Sequence, residues 1–247
     1  MKAQTTIEQS ALGRIVVPES LPAGKALFYT TVDFDGRLNV EIAQQIRALI
    51  AERFGIGATL TTCTQVHGAT VRAAKREKRW HECNSCDALW ATEANVALGI
   101  KVADCLPVTL IDDRHQVVAN VHSGWRGAVQ QITAATLDAI GRRTAFDPQS
   151  ASAWLGPTIR ACCFEVGDEV VAQFAASYGN VARFVDRSRE KPHVDIPGLT
   201  IDLLRRRGLA EGRIFDSGLC TRCNGSIFHS FRREGRGCGR NLAIVAQ

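Results

Sequence analysis

The sequence has no long apolar run: nothing in its 247 residues approaches the ~18 consecutive apolar residues of a membrane-spanning helix. The first residues, Met1-Lys2-Ala3-Gln4-Thr5-Thr6-Ile7-Glu8, lack the apolar stretch of a signal peptide. The expectation is a cytoplasmic chain with no membrane partner. Internal repeats, low-complexity tracts and linker-like segments are also missing, so one domain spanning residues 1–247 is the economical reading. Aromatic residues make up only 6% of the chain. They do not interleave with basic residues into a stripe that would track nucleic acid, so no nucleic-acid partner is expected. The net charge of +5 gathers partly at Arg205-Arg206-Arg207 and at Arg232, Arg233, Arg236 and Arg240. Such clusters suit a solvated face or an anionic small substrate. Nine cysteines, an odd number that one chain cannot pair completely, point to metal or thiol chemistry rather than a disulfide framework.

What the chain does have is a hydrophobic fraction of 45%, ample for a packed core. Residues 1–25 read as an irregular lead-in. Residues 26–32 read as a strand, closed by the turn signal Asp33-Phe34-Asp35-Gly36. Residues 40–54 have helical spacing, with Ile42, Ile46, Leu49 and Ile50 on one face. A threonine-rich strand at 59–66 leads to His67, residues 69–75 are its hairpin or crossover partner, and 75–86 reads as a polar loop. Buried strands are expected at 96–102, 106–111 and 117–121. Residues 128–140 read as one amphipathic helix, and further helices fall at 167–178 and 200–207. Residues 213–215, 227–231 and 242–245 are strand-like. The mixture implies an α/β domain, or an α+β domain with a mixed sheet.

Three residues concentrate the chemistry. His67, Cys105 and His122 each sit where an apolar run gives way to a turn. Two imidazoles and a thiolate suit zinc or copper, and three protein ligands on a four-coordinate ion leave one position for water or substrate. Taken singly, a histidine or cysteine at a strand end is more often a structural group. Gly68 and Gly124 follow close behind the histidines and give backbone room near an ion. Asp104 precedes Cys105 and is placed to orient a ligand or a water. Trp125-Arg126 offers a flat apolar surface beside a fixed cation, a pair suited to a base and a phosphate.

The motifs Gln65-Val66-His67-Gly68, Asp87-Ala88-Leu89, Ala103-Asp104-Cys105-Leu106-Pro107-Val108 and Val121-His122-Ser123-Gly124-Trp125-Arg126-Gly127 closely resemble the YfiH-like family. It is also called the laccase-domain or multicopper polyphenol oxidase family. The resemblance continues at Trp154-Leu155-Gly156-Pro157, at Cys163-Phe164-Glu165-Val166-Gly167 and at Ser230-Phe231-Arg232-Arg233, so it runs from about residue 59 to the end. Residues 1–58 form a divergent N-terminal part of the same domain. There the family's Thr-Arg-x-Gly-Gly turn gives way to Tyr29-Thr30-Thr31-Val32-Asp33-Phe34-Asp35-Gly36-Arg37-Leu38-Asn39. If that segment lines the pocket, the nucleoside preference differs.

The resemblance implies a single compact α/β domain with layered mixed β-sheets and flanking helices. It implies a metal, zinc or alternatively copper, on His67, Cys105 and His122, which are also the expected catalytic residues. It further implies a zinc-dependent purine nucleoside phosphorylase acting on adenosine, inosine and methylthioadenosine, with adenosine deaminase activity as a companion. The expected partners are then a purine nucleoside and phosphate. Older descriptions of the family assign copper-dependent oxidation of phenols, and at least one bacterial member is linked to peptidoglycan-precursor editing.

Phosphorolysis needs a cradle for phosphate, and Arg126, Arg232, Arg233 and Arg240 are the candidates, with solvated or ion-paired arginines as the alternative. Glu165 reads as a buried general acid or base, or as a hydrogen-bond anchor. Against a full multicopper centre stands the histidine inventory: His67, His81, His115, His122, His193 and His229 are the six in the chain. A thiol hydrolase with Cys105 as nucleophile and His122 as base remains open, and it would not need His67. Cys83-Asn84-Ser85-Cys86 and Cys220-Thr221-Arg222-Cys223 are two C-x-x-C pairs that could share a structural zinc, although more than a hundred residues separate them. Cys162 and Cys163 read as packing residues.

Overall fold

The uninterrupted apolar runs become strands buried on both faces, and they stack as two sheets. The computed structural model describes residues 5–77 and 79–247. Residues 1–4 and 78, which belong to the lead-in and polar-loop readings, lie outside the described residues. A seven-stranded sheet runs in the order Thr5–Ser10 (β1), Gly13–Pro18 (β2), Ala26–Thr30 (β3), Asn241–Ala246 (β15), Val96–Val102 (β8), Thr59–Cys63 (β4) and Trp80–Cys83 (β6). A six-stranded sheet runs Ile214–Asp216 (β14), Ser152–Leu155 (β11), Leu106–Asp112 (β9), Val117–Ser123 (β10), Ala88–Ala91 (β7) and Val71–Ala73 (β5). Val185–Asp186 (β12) and His193–Val194 (β13) form a small ribbon. Both large sheets mix parallel and antiparallel pairs.

Side-chain alternation builds three apolar layers. Leu98, Ile100, Ala243 and Val245 from one sheet meet Leu89, Ile111, Val118 and Trp154 from the other. The outer face of the larger sheet packs on Ala43, Ile46, Leu49 and Ile50 of helix α1 (Val40–Phe54). The outer face of the smaller sheet packs on α3 (Ile132–Gly141), α4 (Asp168–Tyr178) and α5 (Ile196–Arg206). This is a mixed α/β fold in four layers, with the sheets inside and helices on both sides. One polar group spans the middle: the Asn120 amide donates to the Leu98 and Ala243 carbonyls of the opposite sheet, so its burial is compensated.

Several local expectations change. The lead-in contains a hairpin, β1 on β2, whose register runs from Thr5↔Pro18 to Ser10↔Gly13. Its outer strand is largely exposed, so no apolar alternation marked it. The loop at 75–86 contains β6, which pairs parallel to β4 and is mostly polar for the same reason, being an edge strand. Residues 69–75 supply a crossover rather than a hairpin, because β5 joins the other sheet.

The helix expected at 128–140 is two, α2 (Trp125–Val129) and α3, broken where Gln131 takes a left-handed φ of 55°. The Gln131 amide is held by the Ser177 carbonyl and hydroxyl at the end of α4. The helix expected at 200–207 starts earlier, at Ile196, with Asp195 capping the Gly198 N–H. Residues 227–231 make no strand. Ile227 and Phe228 return their N–H groups to the Asn224 carbonyl, and Ser230 caps the short helix α6 (Phe231–Glu234).

Candidate functional site

The three candidate ligands meet where the chain passes between sheets. His67 lies on the crossover from β4 in the larger sheet to β5 in the smaller. Cys105 lies on the corner from β8 to β9, another sheet-to-sheet crossing. His122 is a residue of β10 itself, on the same side as Val118 and Asn120, and pairs with Pro107 in the β9 ladder. The ligand atoms of the three residues fall within 4.8 Å of one another. Cys105 Sγ is 3.9 Å from His67 Nε2, and the two imidazoles meet edge to face at a centroid distance of 4.8 Å.

Asp87 organises both histidines. Its fully buried carboxylate accepts the His67 N–H at 2.9 Å, the Gly68 N–H at 2.9 Å and His122 Nδ1 at 2.8 Å. His67 holds a left-handed φ of 61°, unusual for a residue with a side chain. The pair of N–H bonds to Asp87 keeps it there. Burial opposes a charged Asp87, but the His122 ring and the Gly68 and His67 N–H groups outweigh it and keep the carboxyl below its usual range. The sequence placed Asp87 in a motif without giving it a role. The available signal was a lone carboxylate opening an apolar run, in Asp87-Ala88-Leu89-Trp90.

Asp104 acts on the candidate ligand Cys105 through the backbone corner that carries it. It sits at φ 80°, and its carboxylate accepts the Thr221 hydroxyl at 2.5 Å and the Arg232 N–H at 2.6 Å. Its carbonyl takes the Ile159 N–H and the Thr158 hydroxyl. It therefore pins the corner that presents Cys105 to the neighbouring loops.

The residues fit a metal. Hydrogen bonding of His122 Nδ1 to Asp87 leaves Nε2 as the coordinating nitrogen. A Cβ on Gly124 would stand 3.0 Å from Cys105 Sγ and 3.1 Å from His67 Cδ2, so a side chain there would crowd the volume between the ligands. Gly68, by contrast, has ordinary space around it, and a Cβ there would meet its neighbours no closer than 3.6 Å. Burial pushes the Cys105 thiol up, but the His122 and His67 rings reverse that and bring it down to about 6. Burial likewise opposes a charged His122; the Cys105 sulfur and the Asp87 carboxylate overcome it and raise the imidazole to about 9.

A cleft of about 960 Å³ opens over the three residues. Ile159, Phe164, Val166, Val170 and Ile196 form an apolar wall. Arg126, Arg232 and Arg240 line the cleft, and no guanidinium of the three has a carboxylate partner among the described residues; that of Arg232 also bonds the Cys163 and Glu165 carbonyls, and that of Arg240 the Cys238 and Gly239 carbonyls. Arg126 stacks its guanidinium 4.4 Å over the Trp125 ring. Arg233 is not part of the lining. Its guanidinium is spent on the Thr221, Arg222 and Phe228 carbonyls and on the Glu234 carboxylate, so it braces the loop beneath α6. Glu165 reaches the rim but is exposed and paired with Lys191 at 3.3 Å, not buried. Arg37 and Leu38 also line the cleft, so the divergent segment at 29–39 does reach the pocket.

The cysteine pairs rearrange as well. Cys83 and Cys86 are free thiols that do not join the second C-x-x-C pair in the cluster found among the described residues. Cys220 and Cys223 instead gather with Cys162 and Cys163.

The match to known proteins follows the same residues. Residues 35–247 match the model of the family described as multi-copper polyphenol oxidoreductase laccase. The chain belongs to this family. It is 36% identical over 161 residues to adenosine deaminase RL5 of an unknown prokaryotic organism, covering 64% of this chain and 61% of that protein's length. It is 32% identical over 203 residues to a purine nucleoside phosphorylase of Deinococcus radiodurans, covering 81% of this chain and 75% of the relative. Among solved structures, YlmD from Geobacillus stearothermophilus superposes with a TM-score of 0.87 over 99% of both chains at 23% identity. Bacillus licheniformis YfiH superposes with a TM-score of 0.84 over 97% of this chain and 98% of that one, at 22% identity. These two likenesses concern the fold.

Proposed function

We propose that this chain is a zinc-dependent purine nucleoside phosphorylase acting on adenosine, inosine and methylthioadenosine, with adenosine deamination as a second activity of the same centre. The observation that carries the reading is the convergence of His67, Cys105 and His122 in a cleft also lined by Arg126, Arg232 and Arg240, whose guanidiniums have no carboxylate partner among the described residues. The printed names of the relatives, purine nucleoside phosphorylase and adenosine deaminase, support the substrate class.

His67, Cys105 and His122 would hold the zinc, and the ion would supply Lewis acidity together with an open position for water or substrate oxygen. The chain's own residues do the rest. Asp87 fixes the His122 tautomer and the His67 backbone, so the ligand nitrogens are set before metal arrives. Arg126, Arg232 and Arg240 hold phosphate by charge-assisted hydrogen bonds. The Ile159–Phe164 wall and the Trp125 ring offer apolar faces to a purine. Phosphate held beside the ribose gains most as charge develops at the anomeric carbon.

The test is incubation with adenosine or inosine and phosphate, with and without chelator. Release of free base and ribose 1-phosphate, abolished by the chelator, is expected; no turnover across a nucleoside panel would sink the reading. Oxygen uptake with added copper separates the phenol-oxidase alternative that the family's description raises. His81, His115, His193 and His229 stand outside the cluster, so only one ligand set in the cleft is available to copper among the described residues. A thiol hydrolase has support in the depressed Cys105 thiol and the raised His122. It would be blocked by alkylation of Cys105 and would survive the chelator.

A further inference from the structure

A second convergence of metal-binding side chains lies outside the cleft centre, and it consists wholly of thiols. Cys162, Cys163, Cys220 and Cys223 bring their sulfurs within 4.8 Å of one another. Cys163 Sγ lies 3.4 Å from Cys223 Sγ, and Cys162 Sγ lies 3.7 Å from it. Four sulfurs at ~2.3 Å from a tetrahedral zinc stand about 3.8 Å apart along each edge. The two Cys223 separations, 3.4 and 3.7 Å, lie close to that edge, and all four sulfurs lie within 4.8 Å of one another. One disulfide would need two sulfurs and no convergence of four.

The local frame is built for thiolates. Cys220 and Cys223 flank a tight turn in which both the Asn224 N–H and its side-chain amide return to the Cys220 carbonyl. The vicinal pair sits in a second turn, closed by the Cys163 and Phe164 N–H groups on the Arg160 carbonyl. Three guanidiniums bind carbonyls of the two turns: Arg189 at Cys162, Arg232 at Cys163 and Arg233 at Arg222. They offset the negative charge that four thiolates around one divalent ion would leave. Cys162 and Cys223 are exposed while Cys163 and Cys220 are buried, so the site is anchored on one side and open to an incoming ion on the other.

We propose that Cys162, Cys163, Cys220 and Cys223 bind a second metal ion of the zinc class as a closed structural centre. With every position filled by protein, such a centre takes no substrate and works as a clamp. What it clamps is the wall of the cleft. The Cys162–Cys163 turn is flanked by Ile159 and Phe164, and the Cys220–Cys223 turn carries Thr221, whose hydroxyl holds Asp104 beside Cys105. The proposal stands on these four thiols and does not depend on the nucleoside reading.

The experiment uses the full chain carrying His67→Ala and Cys105→Ala, which removes the cleft ligands, produced in zinc-replete medium. Elemental analysis should find one equivalent of zinc, and X-ray absorption at the zinc edge should fit four sulfur neighbours at about 2.3 Å. Adding Cys162→Ser and Cys223→Ser should remove that equivalent. If those variants fail to fold, the absorption spectrum of the parent chain decides the ligand set alone. A parent chain free of zinc overturns the proposal, as does zinc surrounded by nitrogen and oxygen. So does a cluster whose thiols resist alkylation after chelation, because that result identifies a disulfide.

Discussion

The Asp87 carboxylate accepts His122 Nδ1 at 2.8 Å and the His67 N–H at 2.9 Å, so one buried acid sets the orientation of two candidate metal ligands. Replacing it with asparagine keeps the shape but turns an amide N–H toward backbone donors. Asp87→Asn is expected to weaken zinc binding about 10–100-fold, as loss of a partner behind a ligand does. Titration against a competing chelator measures it, and unchanged affinity would remove Asp87 from the centre.

The ligands themselves give an all-or-none outcome. His67→Ala, Cys105→Ala and His122→Ala should each lose one equivalent of zinc by elemental analysis of the purified chain. Wild-type metal content in all three variants would leave the proposed chemistry without a basis.

Gly124 is a test of space rather than of ligation. Its Cβ would meet Cys105 Sγ at 3.0 Å and His67 Cδ2 at 3.1 Å. Gly124→Ala should spread the cluster and lower metal occupancy while the chain remains folded by circular dichroism. Full occupancy in a folded Gly124→Ala chain would contradict the cleft geometry.

Two arginines separate binding from bracing. Arg126 lines the cleft without a carboxylate partner among the described residues, whereas Arg233 is bonded to three carbonyls. Arg126→Ala should raise the KM for phosphate about tenfold or more, since hydrogen bonds to charged groups contribute roughly 1.5–3 kcal/mol. Arg233→Ala should instead lower the unfolding midpoint. The reverse pattern would exchange their roles.

Asp112 sets an acid limit on stability. Burial pushes its carboxyl up, but the Asp147 N–H, the His115 ring and the Ser150 hydroxyl outweigh that and hold it below its ordinary value. A folded value below the unfolded one, about 3.9, means that the stabilisation is present above that pH and is lost as pH falls through the folded value. Urea midpoints measured from neutral pH down to about pH 3 should therefore fall less steeply in Asp112→Asn than in the parent.

The sequence was most legible where one physical signal acted alone. The runs at 96–102 and 106–111 are apolar without interruption because both faces of β8 and β9 are covered, and their ends fell within one residue of the expectation. Helix α1 showed its face through Ile46, Leu49 and Ile50, and its end through the left-handed Gly55. Edge strands were silent. β1 and β6 expose much of their surface, so nothing in their composition separates them from loops. The α2–α3 break was also hidden, because Gln131 is turned by Ser177, a residue 46 positions away.

By itself the sequence determined the donor types and their local settings: His67, Cys105 and His122 at the ends of apolar runs, with Gly68 and Gly124 close behind the histidines. Spacing along a chain carries no information about which turns share an edge of the sheets. Only the tertiary structure decided that, by bringing the β4-to-β5 and β8-to-β9 crossings together beside the end of β10. The same packing gave Asp87 its two histidines, withdrew Arg233 from the cleft, and joined Cys220 and Cys223 to Cys162 and Cys163 rather than to Cys83 and Cys86. Each of these outcomes rests on contacts between residues distant in sequence, fixed by how the two sheets stack.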